Sequence, residues 1–290
     1  MSTPTGSLLS TTYPAYVEAT SAPAIINPDD PPWGVAAAAF VWVASVLVMF
    51  AMQITAVLAY ILYRHNPAIL QNIAKSPDPG IVFATIVSVI PAHLVTLAAI
   101  WAVVTQFGKR PFWQTLGWSW SPQVGFWTSA GIAVALLIVG GVITKFSGGA
   151  ETDIDQIIKS SAAARITTAL LATVTAPLVE EMTYRGVLYS ALQRAIGALW
   201  AIIGVSTLFA LIHAYQYRNN FGVITAVALL SFALTITRAR TGRLLPCFVI
   251  HLVFNGLQAA DIILEPYLQQ LYTSGNHKTA LLTLIIGLTG

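Results

Sequence analysis

Long apolar stretches alternate with short polar ones along this chain. Apolar runs occupy roughly residues 33–63, 81–106, 126–146, 164–196, 198–217, 220–238 and 244–265, with a shorter run at 279–290. Each of the first seven reaches the roughly 20 residues that carry an α-helix across the hydrocarbon core of a bilayer. The pattern predicts an all-α integral membrane protein, a polytopic bundle of about seven or eight transmembrane helices. No internal repeat is visible. The first four runs are separated by segments that are polar or carry Pro and Gly, such as 64–80 and 147–161. Segment 107–127 holds Lys109, Arg110, Trp113, Trp118, Trp120 and Trp127, a mixture that suits the headgroup layer, where an amphipathic ring is half wet.

Residues 1–32 differ in character from the rest of the chain. They are rich in Ser, Thr, Pro and Ala, hold Glu18, Asp29 and Asp30, and contain no Lys or Arg. The basic and short apolar regions of a cleaved signal peptide are missing there. The expected organisation is a flexible N-terminal tail over 1–32 and one transmembrane domain over 33–290.

Composition points to the same solvent. Charged residues make up 9% of the chain, against about 25% in a soluble domain, so this surface cannot stay wetted. The net charge of +3 is spread over many connecting segments. Nothing resembles a basic arm, so no nucleic-acid partner is expected. One cysteine, Cys247, excludes an intrachain disulfide framework, and its apolar surroundings suit a small buried hydrophobe.

Ionisable groups inside spanning helices cost about 2.5–3.5 kcal/mol each on insertion scales, so those that are present carry information. They concentrate within about 164–265. The first group is Glu180-Glu181 with Arg185, shortly after Pro177. Adjacent helical residues point about 100° apart, so the two carboxylates cannot share one task. Glu181 and Arg185 have the i,i+4 spacing of an intrahelical ion pair, which leaves Glu180 as a candidate general base. The second group is His213, one turn after Phe209; the third is His251 with Asn255, i and i+4 on one helix face. Each group alone has a plain structural reading: solvated carboxylates at a helix end, a packing histidine, polar contacts between helices. Together they supply a base for water, a partner to hold it, and donors for a tetrahedral intermediate, the parts needed to hydrolyse an amide.

These three segments resemble the three motifs of the CPBP family, the type II CAAX prenyl endopeptidases and bacteriocin-processing enzymes. The family's Glu-Glu-x-x-x-Arg, Phe-x-x-x-His and His-x-x-x-Asn motifs stand here, in the same order, as Glu180-Glu181 with Arg185, Phe209 with His213, and His251 with Asn255. Ala176-Pro177 before the first motif, Gly186 after it, and Thr241-Gly242 with Pro246 before the last also fit. The resemblance implies a membrane-embedded endopeptidase acting on a peptide or lipidated protein, of which a prenylated CAAX protein is the best-known kind. It implies that Glu180 and His213 activate water, that His251 and Asn255 bind the oxyanion, and that Glu181, Arg185 and Phe209 support the site. Tyr184 stands where the family more often has Phe, and Arg243 where a small or polar residue is expected.

No cofactor is expected. The alternative is zinc on Glu180, His213 and His251, although the His-Glu-x-x-His signature of many zinc proteases is missing. Two other functions use similar residues: a catalytically silent immunity or partner-binding protein of the same fold, and a proton-coupled transporter. Neither inverted hydropathy repeats nor paired broken helices favour the transporter. Plainer roles remain for the rest. His93 reads as a helix–helix contact, and Arg238, Arg240 and Arg243 as a basic turn anchored at the membrane interface.

Overall fold

The computed structural model describes residues 26–65 and 78–274. The run at 279–290, and with it any eighth span, lies outside the described residues. Among the described residues twelve α-helices occur in chain order: α1 (Val35–Arg64), α2 (Pro79–Val87), α3 (Val89–Thr105), α4 (Phe112–Thr115), α5 (Phe126–Ser147), α6 (Asp153–Ser160), α7 (Ala162–Leu170), α8 (Ala176–Glu180), α9 (Tyr189–Ile196), α10 (Ala198–Gln216), α11 (Phe221–Thr241) and α12 (Leu245–Ser274). Two π-helical stretches, Leu171–Thr175 and Glu181–Leu188, join α7, α8 and α9 into one rod. Among the described residues there is no strand, and seven segments are long and apolar enough to cross a membrane. The protein is an integral, multi-pass membrane protein.

The outer helices show why a bilayer is required. On α1, Ala38 and Val41 face inward and are buried, whereas Phe40, Leu47, Phe50 and Ile54 are each about 60% exposed. Such a face is stable against acyl chains and would aggregate in water. Between α5 and α11 glycine permits close approach. A Cβ at Gly222 would come within 2.6 Å of the Thr144 Cα, and one at Gly140 within 3.1 Å of the Ala226 Cβ.

Three apolar clusters surround the π-containing rod. The largest joins α1, α3, the second π stretch and α10 through Val41, Ile100, Val187 and Val205. Another joins α5, α11 and α12 through Ala133, Leu230, Leu234, Cys247, Ile250 and Phe254. The smallest ties α2 to α7 through Val82, Ile86 and Ala164. Residues 181–191 are buried without a break, so the rod is the axis around which the others pack.

The fold departs from the sequence expectations at four places. The second span breaks at Ser88, because Pro91 has no N–H to continue the ladder back to Val87. Segment 147–161 contains α6, opened by a capping box in which Thr152 and Asp155 bond reciprocally. Of the stretch expected as a tail, residues 26–32 are packed onto the bundle. Asp29 Oδ1 accepts from Arg238 Nη1 at 2.6 Å, Pro28 O from Arg238 Nη2 at 3.2 Å, and Asp30 pairs with Arg194. The basic turn is therefore not a simple interface anchor. Arg238 is fully buried, its guanidinium over the Tyr189 ring, and only Arg240 of the three is exposed.

Candidate active site

Pro177 shapes the backbone on which the site is built. In the first π stretch the Ala176 N–H reaches back to the Leu171 carbonyl, five residues away. Ala172 thus loses its usual i+4 donor, and Pro177, the next residue along, has no N–H. The freed Ala172 carbonyl accepts the Asn255 side-chain amide at 2.8 Å. Thr175, in the same stretch, bonds the His93 ring at 3.1 Å, which makes His93 a contact between α3 and the rod.

The two adjacent glutamates have separate environments. Glu181 is fully buried, and its Oε1 accepts from Arg185 Nη1 at 3.0 Å and from His251 Nδ1 at 2.9 Å. Its Oε2 is buried with no partner among the described residues. Arg185, also fully buried, donates further to the Ser231 hydroxyl (2.7 Å), the Ser231 carbonyl (3.0 Å) and the Thr235 hydroxyl (3.2 Å). Its guanidinium lies 4.7 Å from the centre of the Phe209 ring. A buried charge is tolerated only with such saturation of its hydrogens. Glu180, one position earlier, instead keeps 25% of its side chain exposed and faces a cavity.

Two histidines meet it there. His213 stacks on Phe209 with ring centres 4.4 Å apart, and its Nδ1 lies 2.9 Å from the Phe209 carbonyl. A carbonyl only accepts, so Nδ1 carries the proton and Nε2 of the neutral ring presents a lone pair. His251 is set the same way by the Glu181 carboxylate at its Nδ1. Both free Nε2 atoms turn toward Glu180, His213 at 4.0 Å from Oε1 and His251 at 3.7 Å from Oε2. These gaps exceed a direct hydrogen bond. Three acceptors facing one small space repel unless a donor lies between them.

The cavity measures about 930 Å³ and is lined by Glu180, His213, His251 and Asn255. Phe209, Gln216, Tyr217 and Gln258 also line it, as do Ile154 and Ile158 of α6. The structure thus brings all four sequence-predicted site residues to one space, with Phe209 on its wall and Glu181 and Arg185 directly behind it. Sequence reading missed α6 and Tyr217 as parts of this wall. The Thr152-x-x-Asp155 pair ahead of Ile157 and Ile158 was a usable signal for α6, whereas nothing near Tyr217 distinguished it.

Zinc makes its own geometric demand on Glu180, His213 and His251. Two ligands of one tetrahedral zinc lie about 3.4 Å apart, given bonds of about 2.0–2.2 Å. Both separations here are wider, and among the described residues no three His, Cys, Asp or Glu side chains are grouped to hold a metal ion.

Comparison with known proteins agrees with the motifs. Residues 162–257 match the family model described as type II CAAX prenyl endopeptidase Rce1-like. The matched stretch runs from α7 into α12 and contains all three motif segments. It supports the CPBP resemblance over that third of the chain. No curated protein and no solved structure matched.

Proposed function

We propose that this protein is an intramembrane endopeptidase that hydrolyses a peptide bond of a membrane-associated peptide or lipidated protein, without a metal. The observation that carries the reading is the convergence of the Glu180 carboxylate and the Nε2 atoms of His213 and His251 on one part of the cavity. A water molecule is the donor that satisfies such a set, one hydrogen toward Glu180 and the other toward His213. Water held this way is also poised to attack.

As its oxygen bonds to the substrate carbonyl carbon, a proton passes to Glu180 and the carbonyl oxygen becomes an oxyanion. Asn255 retains one amide hydrogen beyond the one given to Ala172, and that hydrogen is available to the oxyanion. His251, held at Nδ1 by Glu181, orients Nε2 toward the reacting groups and donates only when doubly protonated. Collapse of the intermediate breaks the C–N bond, and Glu180 returns its proton to the leaving amine. The Rce1-like match supports a prenylated CAAX-type substrate.

The experiment is cleavage of a library of quenched fluorescent peptides, prenylated and unprenylated, by purified full-length protein. Glu180→Ala should lower the rate by about 10²–10⁴-fold, the usual contribution of a general base, with folding retained. His213→Ala should act in the same direction. EDTA should leave the rate unchanged. Wild-type turnover by Glu180→Ala overturns the reading, and a chelator-sensitive rate restored by zinc overturns its metal-free form.

A further inference from the structure

The proposed hydrolysis leaves a shortage of donors. The His213 Nδ1 proton is given to the Phe209 carbonyl, the His251 Nδ1 proton to Glu181, and one of the two Asn255 amide hydrogens to Ala172. A tetrahedral intermediate needs groups whose hydrogens stay in place and are not already committed.

Tyr217 meets that requirement. It follows the last residue of α10, one helical turn beyond His213, and its backbone N–H donates to the His213 carbonyl at 3.1 Å. The chain leaves helical geometry there (φ −110°, ψ 20°), and the residue lines the same cavity as Glu180, His213 and His251. Its hydroxyl makes no hydrogen bond among the described residues, yet it is not a sealed orphan, for the residue is half-buried and borders the cavity. A phenol ordinarily titrates near 10, so the hydroxyl keeps its proton at working pH. Tyr215, two residues earlier, is different. It is 76% exposed, stands under the Arg218 guanidinium and does not line the cavity.

We propose that Tyr217 is a further catalytic residue, its hydroxyl donating a hydrogen bond to the oxyanion formed when Glu180-activated water attacks the substrate carbonyl. This rests on the hydrolase reading above. The phenol is neither consumed nor deprotonated; it supplies a fixed donor whose bond strengthens as negative charge develops on the oxygen. Such a contact acts on the transition state more than on bound substrate, and therefore on kcat more than on KM. A residue that merely shapes the cavity wall would change KM or stability instead.

The test uses full-length wild type, Tyr217→Phe, Tyr215→Phe and Glu180→Ala in one detergent, with the best quenched peptide from the library. A matched peptidyl phosphinate, which mimics the tetrahedral intermediate, serves as a second probe. Tyr217→Phe should lower kcat by about 100-fold with KM within about twofold, the scale of losing one oxyanion donor. It should weaken the phosphinate by a similar factor while its thermal midpoint stays that of wild type. Tyr215→Phe should match wild type throughout. Unchanged kcat and phosphinate affinity in Tyr217→Phe, or a rise in KM alone, overturns the assignment while leaving the Glu180 mechanism intact. Wild-type turnover by Glu180→Ala, or no cleavage of any library peptide by wild type, overturns the hydrolase reading and this inference with it.

Discussion

Among the described residues two arginines are fully buried, and they use nearly the same chemistry for different ends. Arg185, at the centre of the bundle, pairs with Glu181, donates to Ser231 and lies over the Phe209 ring. Arg238, near the end of α11, pairs with Asp29, donates to Ser190 and lies over the Tyr189 ring. The difference lies in the partner carboxylate. Glu181 has no exposed surface and also accepts a hydrogen bond from His251, beside Glu180. Asp29 is 38% exposed and belongs to the segment leading into α1. One pair sets the geometry of the candidate site; the other fastens the segment before α1 to the far end of α11. Whether an ion pair is functional thus depends less on its own strength than on which neighbouring ring its carboxylate can reach.

That contrast breaks most visibly at Arg185. Arg185→Ala would strand the Glu181 carboxylate with no access to water, at a cost of about 3–5 kcal/mol. Loss of both cleavage and monodisperse elution is expected, read by activity and by fluorescence-detected size exclusion after heating. Asp29→Ala should cost less, about 1.5–3 kcal/mol, because the stranded Arg238 keeps the Pro28 carbonyl and the Ser190 hydroxyl. Cleavage per folded molecule should be retained, and a fall in kcat as large as that of Glu180→Ala would show that the two pairs are not separate. Arg238→Met replaces the buried cation with a flexible apolar chain and leaves Asp29 reachable by water. A loss of about 1 kcal/mol or less in thermal unfolding is expected. The exposed Arg194–Asp30 pair sharpens the lower end of the series. With exposures of 42% and 72%, Asp30→Ala should move stability by less than about 1 kcal/mol, and a larger shift would mean that this contact also fastens the segment.

Legibility in the sequence follows the range of each interaction. Glu181 and Arg185 are four residues apart on one helix, so their pairing can be proposed from spacing alone. Asp29 and Arg238 are separated by 209 residues, and nothing local to either announces the other. Asp29 therefore reads as part of a tail, and Arg238 as one of three basic residues in a turn. His251 and Asn255 read as neighbours on one face. Their actual partners, Glu181 and the Ala172 carbonyl, were fixed only when α12 packed against the rod.

The sequence by itself determined the solvent, the helices and the chemical inventory of the site. Apolar runs of spanning length with few charges have one stable environment, and a polar side chain within such a run must find a partner or a function. Only the tertiary structure decided how Glu180 meets the cavity and which ring nitrogens face it. The first depends on the π turns of the rod; the second depends on what accepts at each Nδ1, the Glu181 carboxylate of the rod for His251 and the Phe209 carbonyl of its own helix for His213. Tyr217 belongs to the same category, because a phenol at the end of a helix becomes a candidate donor only when the bundle encloses the space beside it.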